Sequence, residues 1–349
     1  MTTAVPEGTL FGMGNPLLDI VADVDLDFLE KYSLKANNAI LAEEIHQPLY
    51  KETVDKYKVQ FIAGGSVQNT LRVTQWILGT PNTTTFMGAV GADNFAETLS
   101  QEAIGEGVNV QYQVVESQPT GTCAVLITGN DRSLCANLAA ANHYTLDHLE
   151  KPENMALLEK AKFYYISGFF LTVSPESILT VAKYAASQNR PYMMNLSAPF
   201  ILEFFSDRFN SVLPYIDILF GNETEARAFS KLQGFETDDI TKIALKAAAL
   251  SKDNSQRPRI VVFTQGSDPV VVAEQNGSCG KVSQYPVVPL ESSQIKDTNG
   301  AGDAFVGGFL AQYIQGQTIA KSVDCGIWAA TEVIQQSGAT FPKDKRFPR

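Results

Sequence analysis

The string Asp297-Thr298-Asn299-Gly300-Ala301-Gly302-Asp303-Ala304-Phe305 places three small residues at the mouth of a helix whose apolar positions Phe305, Phe309 and Tyr313 recur every four. Unpaired N–H groups at such a helix start, with no side chains in the way, form an anion site. Asp303 would repel a phosphate there if the turn served only to bind one. Its place makes sense if the carboxylate takes the proton of a hydroxyl that attacks the phosphate. Read alone, the string is also a glycine-rich helix start whose first-turn acid favours the dipole.

The elements that must position this turn are legible as a repeating pattern. From about residue 61 onward, short apolar runs alternate with helical periodicity. Phe61–Ala63 precedes a helix through Leu71, Val73, Trp76 and Ile77, and Thr84–Val90 precedes a helix across Phe95–Ala103. Phe163–Ser167, Tyr192–Leu196, Ile216–Phe220 and Ile260–Thr264 each read as a buried strand with a helical segment behind it. Repeated units of this kind predict an α/β fold with a mainly parallel sheet covered on both faces. Helices over about 302–314 and 319–336 close it. Residues 17–62 and 117–141 break the rhythm with strand-like alternation, as in Ile20–Val24, Ile40–Ala42 and Thr122–Thr128. They predict a small β-rich lid domain built from two separated excursions. Residues 1–16, 63–116 and 142–349 are left to the large domain. Ligands of open α/β sheets bind at the carboxyl ends of the strands, where such a lid would sit.

Bulk composition narrows the function class. With 44% hydrophobic and 19% charged residues, the 349-residue chain has the makings of a sizeable core. A formal net charge of −11 argues against a nucleic-acid or membrane-surface role, because polyanions would be repelled. Cys123, Cys135, Cys279 and Cys325 lack CxxC spacing and a histidine at zinc-ligand distance, so reduced thiols are expected. Neither a secretory leader nor a stretch of about 18 apolar residues is present, which predicts a soluble cytoplasmic chain. The tail Lys343–Arg349 reads as a solvated end.

Three motifs in order carry a resemblance. Asp297–Phe309 resembles the C-terminal motif of the ribokinase-like (phosphofructokinase-B) family of small-molecule kinases. Gly64-Gly65-Ser66-Val67-Gln68-Asn69 resembles that family's N-terminal di-glycine motif, and Asn222-Glu223-Thr224-Glu225 its Asn-x-x-Glu element. Phe11–Ile20, Pro119–Ala124, Phe169–Ser177 and Asn195–Phe200 are similar to the members that phosphorylate adenosine, and the likeness covers essentially the whole chain. Ser66-Val67-Gln68, where sugar kinases of the family carry further glycine, favours a nucleoside over a free sugar. The resemblance implies a ribokinase-like fold and a monomer that transfers the γ-phosphoryl of Mg·ATP to the 5′-hydroxyl of adenosine, giving AMP and ADP.

It also implies residue roles. Ribose presents vicinal hydroxyls, best held by an acceptor carboxylate plus amide partners. Asp19 and Asn15 are assigned to them, with Gly65, Ser66 and Asn69 alongside, although Asp19 read alone is a turn former. An apolar slot for adenine is implied from Leu17, Leu41, Cys123, Leu134, Ala136, Leu138 and Phe170, each of which could equally be plain core. Arg132 is implied as the cation on the transferring phosphate; otherwise it is a solvated loop charge. Asn222 and Glu225 are implied in organising Mg²⁺, partly through water, though Asn-x-x-Glu is also a helix-start pattern with a capping-box glutamate. Asn195, Thr264, Gly266 and Asn299 are implied near the ATP phosphates, with Gly300, Ala301 and Gly302 as the anion turn and Asp303 as the base.

The sequence lacks GxxxxGK[ST], the His-Arg-Asp triplet of protein kinases and a complete GxGxxG after the first strand. The alternatives are a sibling kinase of another nucleoside or sugar, and a catalytically silent nucleotide-binding protein on the same fold.

Overall fold

A computed structural model describes residues 5–36, 38–129, 131–254, 256–276, 279–342 and 344–348. Fourteen strands are formed among them: β1 (Leu10–Met13), β2 (Leu17–Asp23), β3 (Ala39–Leu41), β4 (Val59–Gly64), β5 (Thr84–Val90), β6 (Asn109–Val114), β7 (Thr122–Thr128), β8 (Asp131–Asn137), β9 (Phe163–Ser167), β10 (Tyr192–Asn195), β11 (Ile218–Asn222), β12 (Ile260–Gln265), β13 (Asp268–Asn276) and β14 (Cys279–Tyr285). They divide between a nine-stranded sheet, in the order β14-β13-β12-β11-β10-β9-β1-β5-β6, and a five-stranded sheet, β3-β8-β7-β2-β4.

The large sheet is parallel from β12 to β6, with the β13–β14 hairpin added antiparallel at one edge. Its inner strands are apolar on both faces, as strands buried beneath helices on either side must be. The alternation is visible residue by residue. Phe11, Met13, Tyr164, Ile166 and Met194 face one core with the helices Pro175–Ser187 and Ile240–Ala249. Leu10, Tyr165 and Met193 face the other, with the helices Ser66–Leu78 and Ala301–Tyr313. These last two helices lie against each other, Thr74 Oγ1 donating to the Gly307 carbonyl at 3.1 Å.

The small sheet takes its strands from two stretches of chain. β2 pairs antiparallel with β4 and parallel with β7, so the two stretches interleave. One face carries Leu17, Val21, Ile62, Cys123 and Val125. The other packs Ala22, Ala124, Leu126 and Cys135 under Phe28, Leu29 and Leu49.

Several expectations change here. Phe61–Ala63 lies in β4 of the small sheet, not in the parallel one. The stretch 17–62 is not purely strand-like, since the helices Leu26–Lys31 and Gln47–Lys56 cover the small sheet's outer face. The strand expected from Ile216 begins at Ile218, because Leu213–Tyr215 forms a 3₁₀ turn before it. The tail is not wholly solvated. Lys345 Nζ reaches Glu332 Oε2 at 2.6 Å and the Phe347 ring lies 5.6 Å from that of Trp328, while Lys343 and Arg349 fall outside the described residues.

Candidate active site

Asp303 sits in the first turn of the helix Ala301–Tyr313, whose N-cap is Gly300 at φ +72°. A β-carbon at Gly300 would press on Ala339, so a close approach and a left-handed turn both require glycine there. Gly300 offers no capping side chain, and the Ala301 N–H turns back to the Thr298 carbonyl at 3.3 Å. Asp297 pins the turn from below: its Oδ1 accepts from the Asn299 N–H at 2.7 Å and its Oδ2 from the Gly338 N–H at 2.8 Å.

The Asp303 carboxylate is held at both oxygens by the helix that follows β4. Ser66 Oγ donates to Oδ1 at 2.7 Å and Asn69 Nδ2 to Oδ2 at 3.1 Å. Both come from the Gly64–Asn69 string, which turns the chain at Gly65, φ +96°, against the Asn15 carbonyl oxygen. Burial raises the Asp303 pKa to about 6, opposed by the Ser66 and Asn69 bonds and by the Arg132 charge. The group is a carboxylate poised to exchange a proton near neutral pH.

Asp19, on β2 of the small sheet, is buried and accepts from Asn299 Nδ2 at 3.4 Å. Burial lifts its pKa to about 7, the Asn299 bond lowers it and the Asp303 charge raises it. Asn15 is buried with its Oδ1 unpartnered, an acceptor available to a ligand. Asn299, expected near the ATP phosphates, thus also stands against the expected ribose carboxylate. Arg132 is not a loop residue. It lies in β8 opposite Ile127, half-buried, its Nε buried without a partner, and it feels the charges of Asp297, Asp303 and Asp19. Burial depresses its pKa.

Asn222 and Glu225 form a reciprocal capping box at the carboxyl end of β11. Asn222 Oδ1 accepts from the Glu225 N–H at 2.8 Å, and both Glu225 oxygens accept from Asn222, from its N–H at 3.0 Å and its Nδ2 at 2.9 Å. Glu225 is buried, and burial lifts its pKa to about 7. Asn195 and Thr264 lie at the carboxyl ends of the neighbouring β10 and β12, and Gly266 in the turn to β13. Asn195 Oδ1 caps the Ser197 N–H at 2.9 Å, and Thr264 Oγ1 bonds the Gly221 carbonyl at 3.4 Å.

The apolar residues divide. Leu17, Cys123, Leu134, Ala136 and Leu138 form one cluster on the small sheet, and Leu41 stands in register beside Ala136. Phe170 belongs to a different cluster, fully buried with its ring edge-on to Tyr144. The sequence reading missed Arg72, which is 2% exposed and bonds Asn69. Its one signal was a cation three residues after Asn69 on the same helix.

The family profile described as "pfkB family carbohydrate kinase" matches residues 26–346. The chain belongs to the pfkB family. Among curated pfkB-type relatives, it is 55% identical over 341 residues to adenosine kinase 2 of Arabidopsis thaliana, with 98% of each chain covered. A crystal structure of Anopheles gambiae adenosine kinase, in complex with a di(adenosine-5) tetraphosphate, superposes with a TM-score of 0.91 at 55% identity, covering 95% of this chain and 97% of that one. Schistosoma mansoni adenosine kinase in complex with adenosine and AMP superposes with a TM-score of 0.91 at 36% identity, covering 97% and 99%. Membership in the pfkB family thus rests on residues 26–346 and on the ribokinase-like arrangement of two sheets with flanking helices.

Proposed function

We propose that this chain transfers the γ-phosphoryl of Mg·ATP to the 5′-hydroxyl of adenosine, giving AMP and ADP. The observation that carries the reading is Asp303, a half-buried carboxylate clamped at both oxygens beside the uncapped start of a helix. That juxtaposition suits a hydroxyl and a phosphate meeting at one point.

In this reading Asp303 accepts the 5′-proton. A carboxylate is far too weak a base to strip an alcohol beforehand, so the proton moves late, alongside a loose transition state. The Gly300–Gly302 turn offers N–H groups to the phosphoryl oxygens, and Arg132 adds charge from the small sheet. Asp19 and Asn15 hold the ribose hydroxyls, with Asn299 steadying Asp19. Leu17, Cys123, Leu134 and Ala136 offer an apolar surface to adenine.

The donor set fits Mg²⁺ held through its waters: the ligands are oxygens, and both Glu225 oxygens are already engaged by Asn222. When bound, the ion would offset negative charge on the phosphates. Segments 17–62 and 117–141 form, in this reading, a lid over the large domain, and closing it excludes water that competes with the 5′-hydroxyl. Three buried unpaired cysteines, Cys123, Cys135 and Cys325, support a reducing, cytoplasmic setting.

Coupled ADP release tests the assignment. Mg·ATP with adenosine should yield ADP and AMP, and Mg·ATP with ribose should not. Equal turnover of ribose would transfer the reading to a sugar kinase, and silence with both would remove catalysis.

A further inference from the structure

Arg72 lies on the helix Ser66–Leu78, three residues after Asn69, and is fully enclosed. Its Nε and Nη2 donate to Glu106 Oε2 and Oε1 at 2.6 and 3.1 Å, a bidentate pair. Its Nη1 donates to the Ala63 carbonyl at 2.8 Å and to Asn69 Oδ1 at 3.3 Å. A guanidinium has donors and no acceptor, so only the amide oxygen of Asn69 can face it. The amide nitrogen must then point the other way, and it donates to Asp303 Oδ2. We infer that Arg72 is a positioning residue for phosphoryl transfer: anchored by Glu106, it fixes which end of the Asn69 amide meets Asp303, and so fixes the carboxylate.

The inference rests on the proposed role of Asp303 as base. With Arg72 both ends of the Asn69 amide are held, the oxygen by the guanidinium and the nitrogen by the carboxylate; without it only Asp303 itself orients the amide, and the side chain is free to swing off the carboxylate. Ser66 and Asn69 on the neighbouring helix bond Asp303, and its charge is coupled to those of Arg132 on β8, Asp19 on β2, Tyr165 on β9 and Glu225 after β11. Loss of the Asn69 bond, which holds the Asp303 pKa down, should raise the acid limb of kcat.

The test is a mutant cycle on kcat, its pH profile and the adenosine KM. Arg72→Met combined with Glu106→Met removes the ion pair without stranding a buried charge. The pair should lower kcat about tenfold, raise the acid limb and leave KM within about threefold. Adding Asn69→Ala to it should cost under twofold more, although Asn69→Ala alone should cost about tenfold. Arg72→Lys, which keeps a donor, should recover most of the loss. Rates are normalised to sites that bind adenosine, so partial misfolding does not mask the result. Wild-type kcat and limb in the double variant, or a full additional cost for Asn69→Ala, would overturn the inference. If the double variant does not fold, Asn69→Asp decides. With Arg72 drawing one of its oxygens, the other must face Asp303 and raise the limb, whereas an unmoved limb overturns the inference. Turnover by Asp303→Asn near the wild-type rate would instead remove the base itself.

Discussion

Asparagine at position 303 keeps the outline of the aspartate but cannot accept a proton at physiological pH. Asp303→Asn is therefore expected to bind ATP while kcat falls about 10²- to 10⁴-fold, the usual worth of a positioned general base; steady-state kinetics beside a thermal melt will check both halves. Asp19 carries a second consequence. Its folded pKa of about 7 and that of Glu225, also about 7, lie well above their ordinary values, with Asp303 at about 6. Groups raised in the folded state contribute stability that is full below about pH 4 and is lost as pH climbs through 6 to 7. The ligand-free protein should accordingly melt lower at pH 8 than at pH 5.5. Asp19→Asn should be more stable than wild type at pH 8, by about 2–4 kcal/mol, with the gap narrowing as pH falls toward 4. A pH-independent gap would show that burial does not strain Asp19. Asp303 could be picked out from sequence as a candidate because an acid beside a glycine-rich helix start is chemically odd. Arg72 could not, because its importance lies in partners, Ala63 and Glu106, that only folding brings together.

At the scale of elements, the turn from β4 into the helix Ser66–Leu78 is the tightest joint in the site. Gly65 sits at φ +96° with the Asn15 carbonyl oxygen where a β-carbon would go. Gly65→Ala should therefore cost about 2–3 kcal/mol in urea titration and push Ser66 and Asn69 off Asp303, depressing kcat as well. Stability and turnover within error of wild type would deny the strain. Thr84–Val90 was legible as a strand because all seven of its residues are buried, whichever face they point to. β4 was assigned to the wrong sheet because a strand followed by a helix looks the same wherever the strand pairs. The helix Gln47–Lys56 went unread because it buries little beyond Leu49 and Thr53, too sparse a stripe to declare a period.

For the molecule as a whole, the proposed site draws Asp19 and Arg132 from one sheet and Asp303 from the helices of the other. If adenosine bridges them, it should slow amide hydrogen exchange in 17–62 and 117–141 together. ATP alone should protect mainly 264–266 and 297–303. A response confined to one of the two excursions would sink the shared lid while leaving the kinase assignment standing. The existence of a second sheet was legible from broken rhythm, but its interleaving was not, since the parallel pairing of β2 with β7 joins residues far apart in sequence. The position of β1 has a consequence for how the chain is made. This strand lies mid-sheet, with Leu10 between Thr84 and Phe163, so it must wait for neighbours synthesised much later. A nascent chain that has emerged only through β8 can hold the small sheet complete while the large one still lacks six of its nine strands. During synthesis, then, the surface proposed to face the nucleoside can be assembled before the Asp303 turn that would use it.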